Sequence, residues 1–454
     1  MMNERKRVLI ISSRPPEHYA GIGDNIIKGL EIIGYKVDYL TIYQNRDPHV
    51  IGLFPPERGY FRERLHLLKL KFPSLKKTER IGRLFFKERK KKISYISKGG
   101  RFLASKNEDE PPISIQLVLS KIEPVYDFVY VHCWQDMITS KTLKAVYDKL
   151  QVPIIITTYD FQPITGGCSY FGDCKNYQSN CGRCPILSSE DERDQTRSNF
   201  LRKKEVYSSI QCGLSCNKYT YEIALKSNIF PKDLMFLPSV GLMNETLFHP
   251  LDIKKSRKAL GIPTEKKFVI FSRFTGVKHV TKGYDYLLDA VNLFAQDLSY
   301  SDKSKVLLLF AGSVRDESFE SKFNIDVMHV GLLNQERLIK AYSAATFFIS
   351  PSIEDAGPSM VNQCILCGTP VVAFNIGSAL TWVENGVTGY RAPLKDTPKL
   401  AECIMNMFNL SDEDYKEMKI NCRNFALKKV SLKGGAEGIV KRYHQIRNHF
   451  NGNN

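Results

Sequence analysis

Apolar positions along the chain fall into short runs separated by longer amphipathic stretches. "RVLIISS", "YKVDYLTIY", "DFVYVHCW" and "VPIIITTYD" stand in the first half, and "KFVIFSRF", "KVLLLFAGS", "ATFFISPS" and "TPVVAFN" in the second. Such runs predict strands, and the helical periods between them predict parallel sheets. Between the halves, "LPSVGLMNETLFHPLDIKKSRKALGIPTEKK" is rich in Pro, Gly and charge and keeps no sustained period. A domain boundary is therefore expected near residue 246. The fold class is α/β, with two doubly wound, Rossmann-like domains facing across a cleft. Sheets of this kind bind ligands at the carboxyl ends of their strands, which makes the cleft the expected active site.

Length and composition agree with that picture. A chain of 454 residues with 43% apolar content can bury a sizeable core, which excludes disorder throughout. In "MMNERKRVLIISSRPPE" the apolar run Val8–Ile11 is too short for a signal-peptide core, and no segment approaches eighteen consecutive apolar residues. The expectation is a cytoplasmic protein whose eleven cysteines sit in a reducing compartment, where lasting disulfides are rare.

The net charge of +17 is unevenly placed: residues 57–106 hold seventeen Lys/Arg and four Asp/Glu, 17 − 4 = +13. Within them "RIGRLFFKERKKKISYI" sets Ile81, Leu84, Phe85 and Phe86 among basic residues. This reads either as a solvated basic loop or as a surface-seeking helix. Against the anionic inner face of a membrane each Lys or Arg would contribute roughly 1 kcal/mol. No recognition motif accompanies the charge, so nucleic acid is not expected as a partner.

Phosphate chemistry is suggested in three places. Gly21 and Gly23 stand between a strand and a helix in "SSRPPEHYAGIGDN", but Ile26 occupies the third position of a G-x-G-x-x-G fingerprint. They read as a loop that admits a ligand, or as an ordinary turn. In "FSRFTGVKHVTKGYDYLLDAVNLF", Lys282 immediately precedes a predicted helix, where a cation opposes the helix dipole. A bound diphosphate between them would reverse that, with Arg273 as a second cation. In "ISPSIEDAGPSMVNQCILCGTPVVAFNIG", a strand, an acidic loop and Pro358 lead into a helix closed by Gly368. The free N–H groups around Ser359 and Met360 would face an anion. Asp355 and Gln363 stand eight apart, one at the loop and one two turns down the helix; the alternatives are a cap and a surface residue.

At these residues the sequence resembles the retaining GT-B glycosyltransferases that use nucleotide-sugar donors (family 4 type), in particular the bacterial capsule and exopolysaccharide, colanic-acid-like branch. "YSAATFFISPSIEDAGPSMVNQCILCGTPVVAFNIGS" is similar to the donor-site signature, in which two glutamates separated by seven residues precede an "ACGTPVVAF"-like run. "PSVGLMNETLFHP" resembles the interdomain stretch, and "VHCW" and "TTYDFQPITGGCSYFGDCKNYQSNCGRCP" resemble that branch's "HxHW" and cysteine-bearing segments. The likeness departs at three places: Asp355 and Gln363 stand for the two glutamates, and Tyr159 for a histidine.

The resemblance implies an acceptor-side domain over 1–245, carrying the basic insertion 57–106 and the Cys-rich loop 165–187. It further implies a donor-nucleotide domain over 246–437 and a helix over 438–454 returning to the first domain. The implied activity is metal-independent retaining transfer of a sugar from a nucleoside diphosphate sugar to a saccharide acceptor, such as one carried on a polyprenyl diphosphate, in capsule, O-antigen or exopolysaccharide synthesis. Lys282, Arg273 and the Ser359 and Met360 amides would stabilise the departing diphosphate, Asp355 would contact the donor sugar, and Gln363 would hold the ribose. His132 and Asp160 would line the acceptor side, although His132 alone reads as a satisfied core histidine. Nucleotide-sugar epimerisation on the same fold, or a catalytically weakened scaffold in a glycan-assembly complex, are the rival readings. No cofactor is required for catalysis.

"CSYFGDCKNYQSNCGRC" remains outside this chemistry. Cys168, Cys174, Cys181 and Cys184 read either as one structural zinc site stapling the loop or as four reduced thiols, and their spacing does not decide. Cys212/Cys216 and Cys364/Cys367 stand at helical spacing and read as core residues.

Overall fold

A computed structural model describes residues 6–55, 96–98, 101–237, 241–276, 279–357 and 359–452. The expected basic amphipathic helix around Ile81–Phe86 and the helix-opening Pro358 lie outside the described residues.

The first sheet contains β1 (Arg7–Ile11), β2 (Lys36–Tyr43), β3 (Val50–Phe54), β6 (Phe128–His132), β7 (Ile154–Thr157), β8 (Cys212–Ser215) and β9 (Met235–Phe236). Their order is β3-β2-β1-β6-β7-β8-β9, and every neighbouring pair is parallel. A short antiparallel hairpin, β4 (Ile96–Lys98) and β5 (Arg101–Leu103), stands apart from it. The second sheet contains β10 (Phe268–Arg273), β11 (Val306–Ala311), β12 (Asp326–His329), β13 (Phe347–Ser350), β14 (Val371–Phe374) and β15 (Gly389–Ala392). It is wholly parallel in the order β12-β11-β10-β13-β14-β15, the 3-2-1-4-5-6 order of a doubly wound fold.

The near-continuous apolar runs follow from burial on both sheet faces. Along β1, Leu9 and Ile11 enter one hydrophobic cluster while Val8 and Ile10 enter the cluster on the opposite face. Along β10, Val269 and Phe271 divide from Phe268 and Ile270 in the same period-two manner. The helix Leu432–Gly452 puts Ala436, Ile439, Tyr443 and Ile446 into the first domain's core, and Tyr443 stacks on Phe128 with centroids 5.1 Å apart. This helix begins six residues before the expected returning segment. Among the described residues, no helix is long and apolar enough to cross a membrane.

Cys212 and Cys216 are buried as expected, but Cys212 opens strand β8 rather than a helix. Cys364 lies in the helix Ser359–Leu366, with Cys367 just beyond it, and both are buried.

Candidate active site

A cleft of about 1430 Å³ lies between the domains, lined by residues at the carboxyl ends of β6, β7, β8, β10 and β13. On the C-terminal side, the chain leaves β10 at Arg273 and enters a short turn, Val280–Lys282. Gly283 follows in the left-handed region at φ +65°, and a Cβ there would lie 2.0 Å from the Pro351 carbonyl oxygen. Only glycine allows the turn to seat against the end of β13. There the N–H groups of Ile353 and Glu354 donate to the Thr281 carbonyl at 3.0 and 3.2 Å. Two chain ends about seventy residues apart in sequence are thereby joined.

Their joining brings Lys282 Nζ to 2.7 Å from Asp355 Oδ2, an ion pair with the aspartate nearly buried and the lysine about one-third open to the cleft. The other carboxylate oxygen accepts the Gly357 N–H at 3.0 Å. Ser359 and Met360, at the start of the helix Ser359–Leu366, line the same wall, as does the exposed Arg273. Lys282, Arg273, Asp355, Ser359, Met360 and Gln363 are thus brought together. Gln363 is buried, and its Oε1 accepts the Tyr342 hydroxyl hydrogen at 2.7 Å. The amide's single acceptor atom is therefore engaged within the protein.

The first-domain wall carries charges of both signs, Asp136 and Asp160 beside Arg14 and Lys218. Asp160 lines the cleft just beyond β7; Gln135 Nε2 donates to its Oδ2 at 2.7 Å and the Gln162 N–H to its Oδ1 at 3.0 Å. Burial pushes its pKa up to about 6, against the opposing pull of these donors and of Lys203. His132 is buried beneath this wall and is not a lining residue. Its Nε2 lies 3.3 Å from the Tyr39 hydroxyl, its Nδ1 has no hydrogen-bond partner, and Tyr39 and Tyr159 present ring edges to it. Desolvation lowers its pKa to about 3, so the ring is neutral at physiological pH. Tyr159 does line the cleft.

Gly21 and Gly23 do not form the expected loop. The turn ends at Glu17, and both glycines lie inside the helix His18–Ile32, whose Ile22, Asn25 and Ile26 line the cleft in their place. A Cβ at Gly23 would fall 2.5 Å from Pro16 Cα and 2.9 Å from the Tyr39 hydroxyl. Its small size thus serves packing beneath the cleft.

The four cysteines of the Cys-rich loop surround one small cavity of about 20 Å³ and none forms a disulfide. Burial raises the pKa of Cys168, Cys174 and Cys181, the last to about 12. Among the described residues no three His, Cys, Asp or Glu side chains are grouped so as to hold a metal ion. The four side chains as placed do not form a ligand set, and metal analysis decides between the zinc reading and the reduced-thiol reading.

Sequence reasoning overlooked Gln135, which orients Asp160, and Tyr342, which engages Gln363. It also passed over Asn362, a cleft residue whose Oδ1 is buried without a partner. Asn362 could have been singled out as a polar residue one position before Gln363 on the same short helix.

Residues 252–425 match the family model described as "Glycosyl transferases group 1". They contain Arg273, Lys282, Asp355, Ser359, Met360 and Gln363 of the cleft's C-terminal wall. An uncharacterized glycosyltransferase of Methanocaldococcus jannaschii is 22% identical over 312 residues, 65% of this chain and 69% of that one. A protein of the cps region of Klebsiella pneumoniae is 27% identical over 170 residues, 37% of this chain and 45% of that one. This second match spans less than half of the relative's length. Among solved structures, sucrose-phosphate synthase of Thermosynechococcus elongatus superposes with a TM-score of 0.62 at 17% identity, covering 98% of this chain and 100% of that one. Anabaena HepE in complex with UDP-glucose gives 0.57 at 13% identity, covering 98% and 99%. Together the matches support a glycosyltransferase of the GT-B superfamily.

Proposed function

We propose that this group 1 glycosyltransferase moves a sugar, with retention of anomeric configuration, from a nucleoside diphosphate sugar to a saccharide acceptor. Surface polysaccharide synthesis is the proposed setting, supported by the similarity to a protein of a cps region. The observation that carries the reading is the convergence of Lys282, Arg273 and the Ser359–Met360 helix start on one wall of the cleft, next to Asp355.

In the proposed reaction the sugar–diphosphate bond breaks and negative charge builds on the departing diphosphate. Fixed positive groups aimed at that charge are usually the largest single contribution to such catalysis. Lys282 and Arg273 supply it as cations and the helix start as N–H dipoles, so we propose a reaction that needs no divalent metal. Asp355 would accept hydrogen bonds from sugar hydroxyls. The diphosphate oxygen takes the acceptor hydroxyl's proton, so the first-domain wall need not provide a base. We further propose that the acceptor is carried at the inner face of the cytoplasmic membrane, with residues 57–106 as the contact.

Calorimetry with a panel of nucleoside diphosphate sugars, followed by NMR of the product of any donor that binds, tests this reading. Binding by one donor and a product with that donor's anomeric configuration are expected. An inverted product would reject retention. A second reading, the weakened scaffold, is favoured by one observation: Gln363 Oε1 already accepts from Tyr342 and has reduced capacity for a ribose hydroxyl. Failure of the whole panel to bind would make the scaffold the better reading.

A further inference from the structure

The acidic loop after β13 belongs to the C-terminal domain, yet several of its bonds reach the first. Glu354 is nearly buried; its Oε1 accepts the Gly172 N–H at 2.6 Å and its Oε2 accepts Arg101 Nε–H at 2.9 Å. Both donors come from the other domain, Gly172 from the Cys-rich loop and Arg101 from β5. Gly172 adopts φ +59°, and a Cβ there would lie 2.4 Å from Arg101 Cζ, so glycine is what lets both donors reach one carboxylate. Two residues on, the Ala356 carbonyl accepts from the Asn217 amide and, at 3.5 Å, from the Thr220 hydroxyl. Ala356 is 1% exposed and packs within the first domain's hydrophobic cluster. Asp355, between these two anchors, turns the other way to Lys282.

We propose that Glu354 is a positioning residue: an interdomain latch that ties closure of the cleft to the placement of the Asp355 carboxylate. The inference rests on the proposed transfer reaction for its catalytic consequence, but not for its structural one. When the domains part, Glu354 loses both donors and Ala356 loses its pocket, so the loop carrying Asp355 is released from both sides. When they close, two charge-assisted bonds and one buried methyl fix the backbone on either side of Asp355. The Cys-rich loop thereby gains a role in closure, since it presents the Gly172 N–H. Its neighbour Asp173 lies 3.6 Å from Lys395 of the C-terminal domain, a second contact of the same loop across the cleft.

The test compares wild type, Glu354→Ala, Glu354→Gln and Arg101→Met. Small-angle X-ray scattering is recorded without nucleotide, UDP affinity is measured by calorimetry, and kcat and KM are measured for hydrolysis of UDP-glucose. In that hydrolysis water supplies the oxygen to the sugar carbon and a proton to the leaving UDP. Loss of two hydrogen bonds to a charged group should lower kcat by about tenfold or more in Glu354→Ala, with UDP affinity changed less than about twofold. Its radius of gyration should rise, and Glu354→Gln, which keeps acceptor and donor-facing shape in part, should fall between it and wild type.

Scattering from Glu354→Ala that superposes on wild type would overturn the latch. So would a fall in kcat matched by an equal fall in UDP affinity, since that would make Glu354 a prop of the donor loop alone. If wild type neither binds UDP nor hydrolyses UDP-glucose, UDP-glucose is rejected as the donor and the affinity and kinetic readouts move to the donor that binds in the panel, while the scattering still decides the latch. If Glu354→Ala does not fold, Arg101→Met removes one donor only and is judged by the same criteria.

Discussion

Lys282→Ala separates chemistry from stability at the donor wall. The ammonium lies 2.7 Å from Asp355, with the lysine side chain 32% and the aspartate 9% exposed. Breaking a fully buried pair costs about 3–5 kcal/mol, whereas an exposed pair contributes about 0–1 kcal/mol. A pair one-third open to the cleft, whose aspartate keeps the Gly357 N–H, falls between these limits. About 1–2 kcal/mol is therefore expected, a fall in Tm of only a few degrees for domains of this size. The catalytic effect should be larger, because removal of one fixed stabiliser of developing negative charge typically lowers kcat by about 10² to 10³. Steady-state release of UDP from UDP-glucose, read by chromatography beside a thermal melt, measures both. Repeating the substitution in an Asp355→Ala background distinguishes two roles for the lysine. If Lys282 merely holds Asp355, its removal there costs nothing further; if it acts on the diphosphate, the loss persists. A Lys282→Ala enzyme with kcat within about threefold of wild type would refute the assignment.

Beneath the acceptor wall, Lys203 is fully buried, donates to the Gln162 and Thr165 carbonyls at 2.6 and 3.1 Å, and lies 3.4 Å from Glu108. Lys203→Met strands the buried carboxylate and should cost about 3–5 kcal/mol in denaturant unfolding; an unchanged midpoint would reject its structural role. Asp160 has a raised pKa of about 6, so the folded state holds the extra proton between its ordinary value and 6, and this group lowers stability as pH rises through that window. Asp160→Asn should therefore raise Tm above about pH 7 and change it little near pH 4, whereas an equal shift at both pH values would contradict the burial argument. All eleven cysteines are free, and a thiol titration of unfolded protein without reductant but with chelator should count eleven, two fewer meaning a disulfide. Metal analysis of folded protein purified without chelator is expected to find no stoichiometric zinc, and one equivalent would show that the thiols of the Cys-rich loop turn inward to bind it.

The strands were legible because burial on two faces leaves a local mark: four to six apolar residues bounded by turn formers. Lys282, Asp355 and the helix start were legible for a similar reason, since strand ends and helix starts are local features and topology places them at one edge of the sheet. Gly21 and Gly23 show the limit of that logic. A Gly-x-Gly between strand and helix fits a loop or a first helical turn equally well, and close packing on Pro16 and Tyr39 selects the turn. Gln363 and Tyr342 meet across 21 positions, while Glu354 meets Gly172 and Arg101 across 182 and 253. No periodicity encodes such partners. The place of His132 at the end of β6 suggests a wall residue, but three tyrosine rings around it and 3% exposure put it behind the wall instead.

That displacement of His132 bears on how the proposed transfer would run. With a pKa of about 3 and no place in the cleft lining, the imidazole cannot take a proton from an acceptor hydroxyl. Tyr159, which does line the cleft, is a phenol, whose ordinary pKa near 10 makes it a poor acceptor at neutral pH. Asp160 titrates near 6 and is already held by Gln135 and the Gln162 N–H, which suits it to orient a hydroxyl by accepting a hydrogen bond. The opposite wall carries Lys282, Arg273 and the helix start, the groups proposed to face the leaving diphosphate. With His132 outside the lining and Asp160 already engaged by two donors, the proposed reaction is one in which departure of the leaving group leads and proton removal follows. The leaving diphosphate, gaining basicity as its bond to the sugar breaks, is then the group best placed to receive the acceptor's proton, on the face from which it departed. Attack from that same face is what retention of configuration requires.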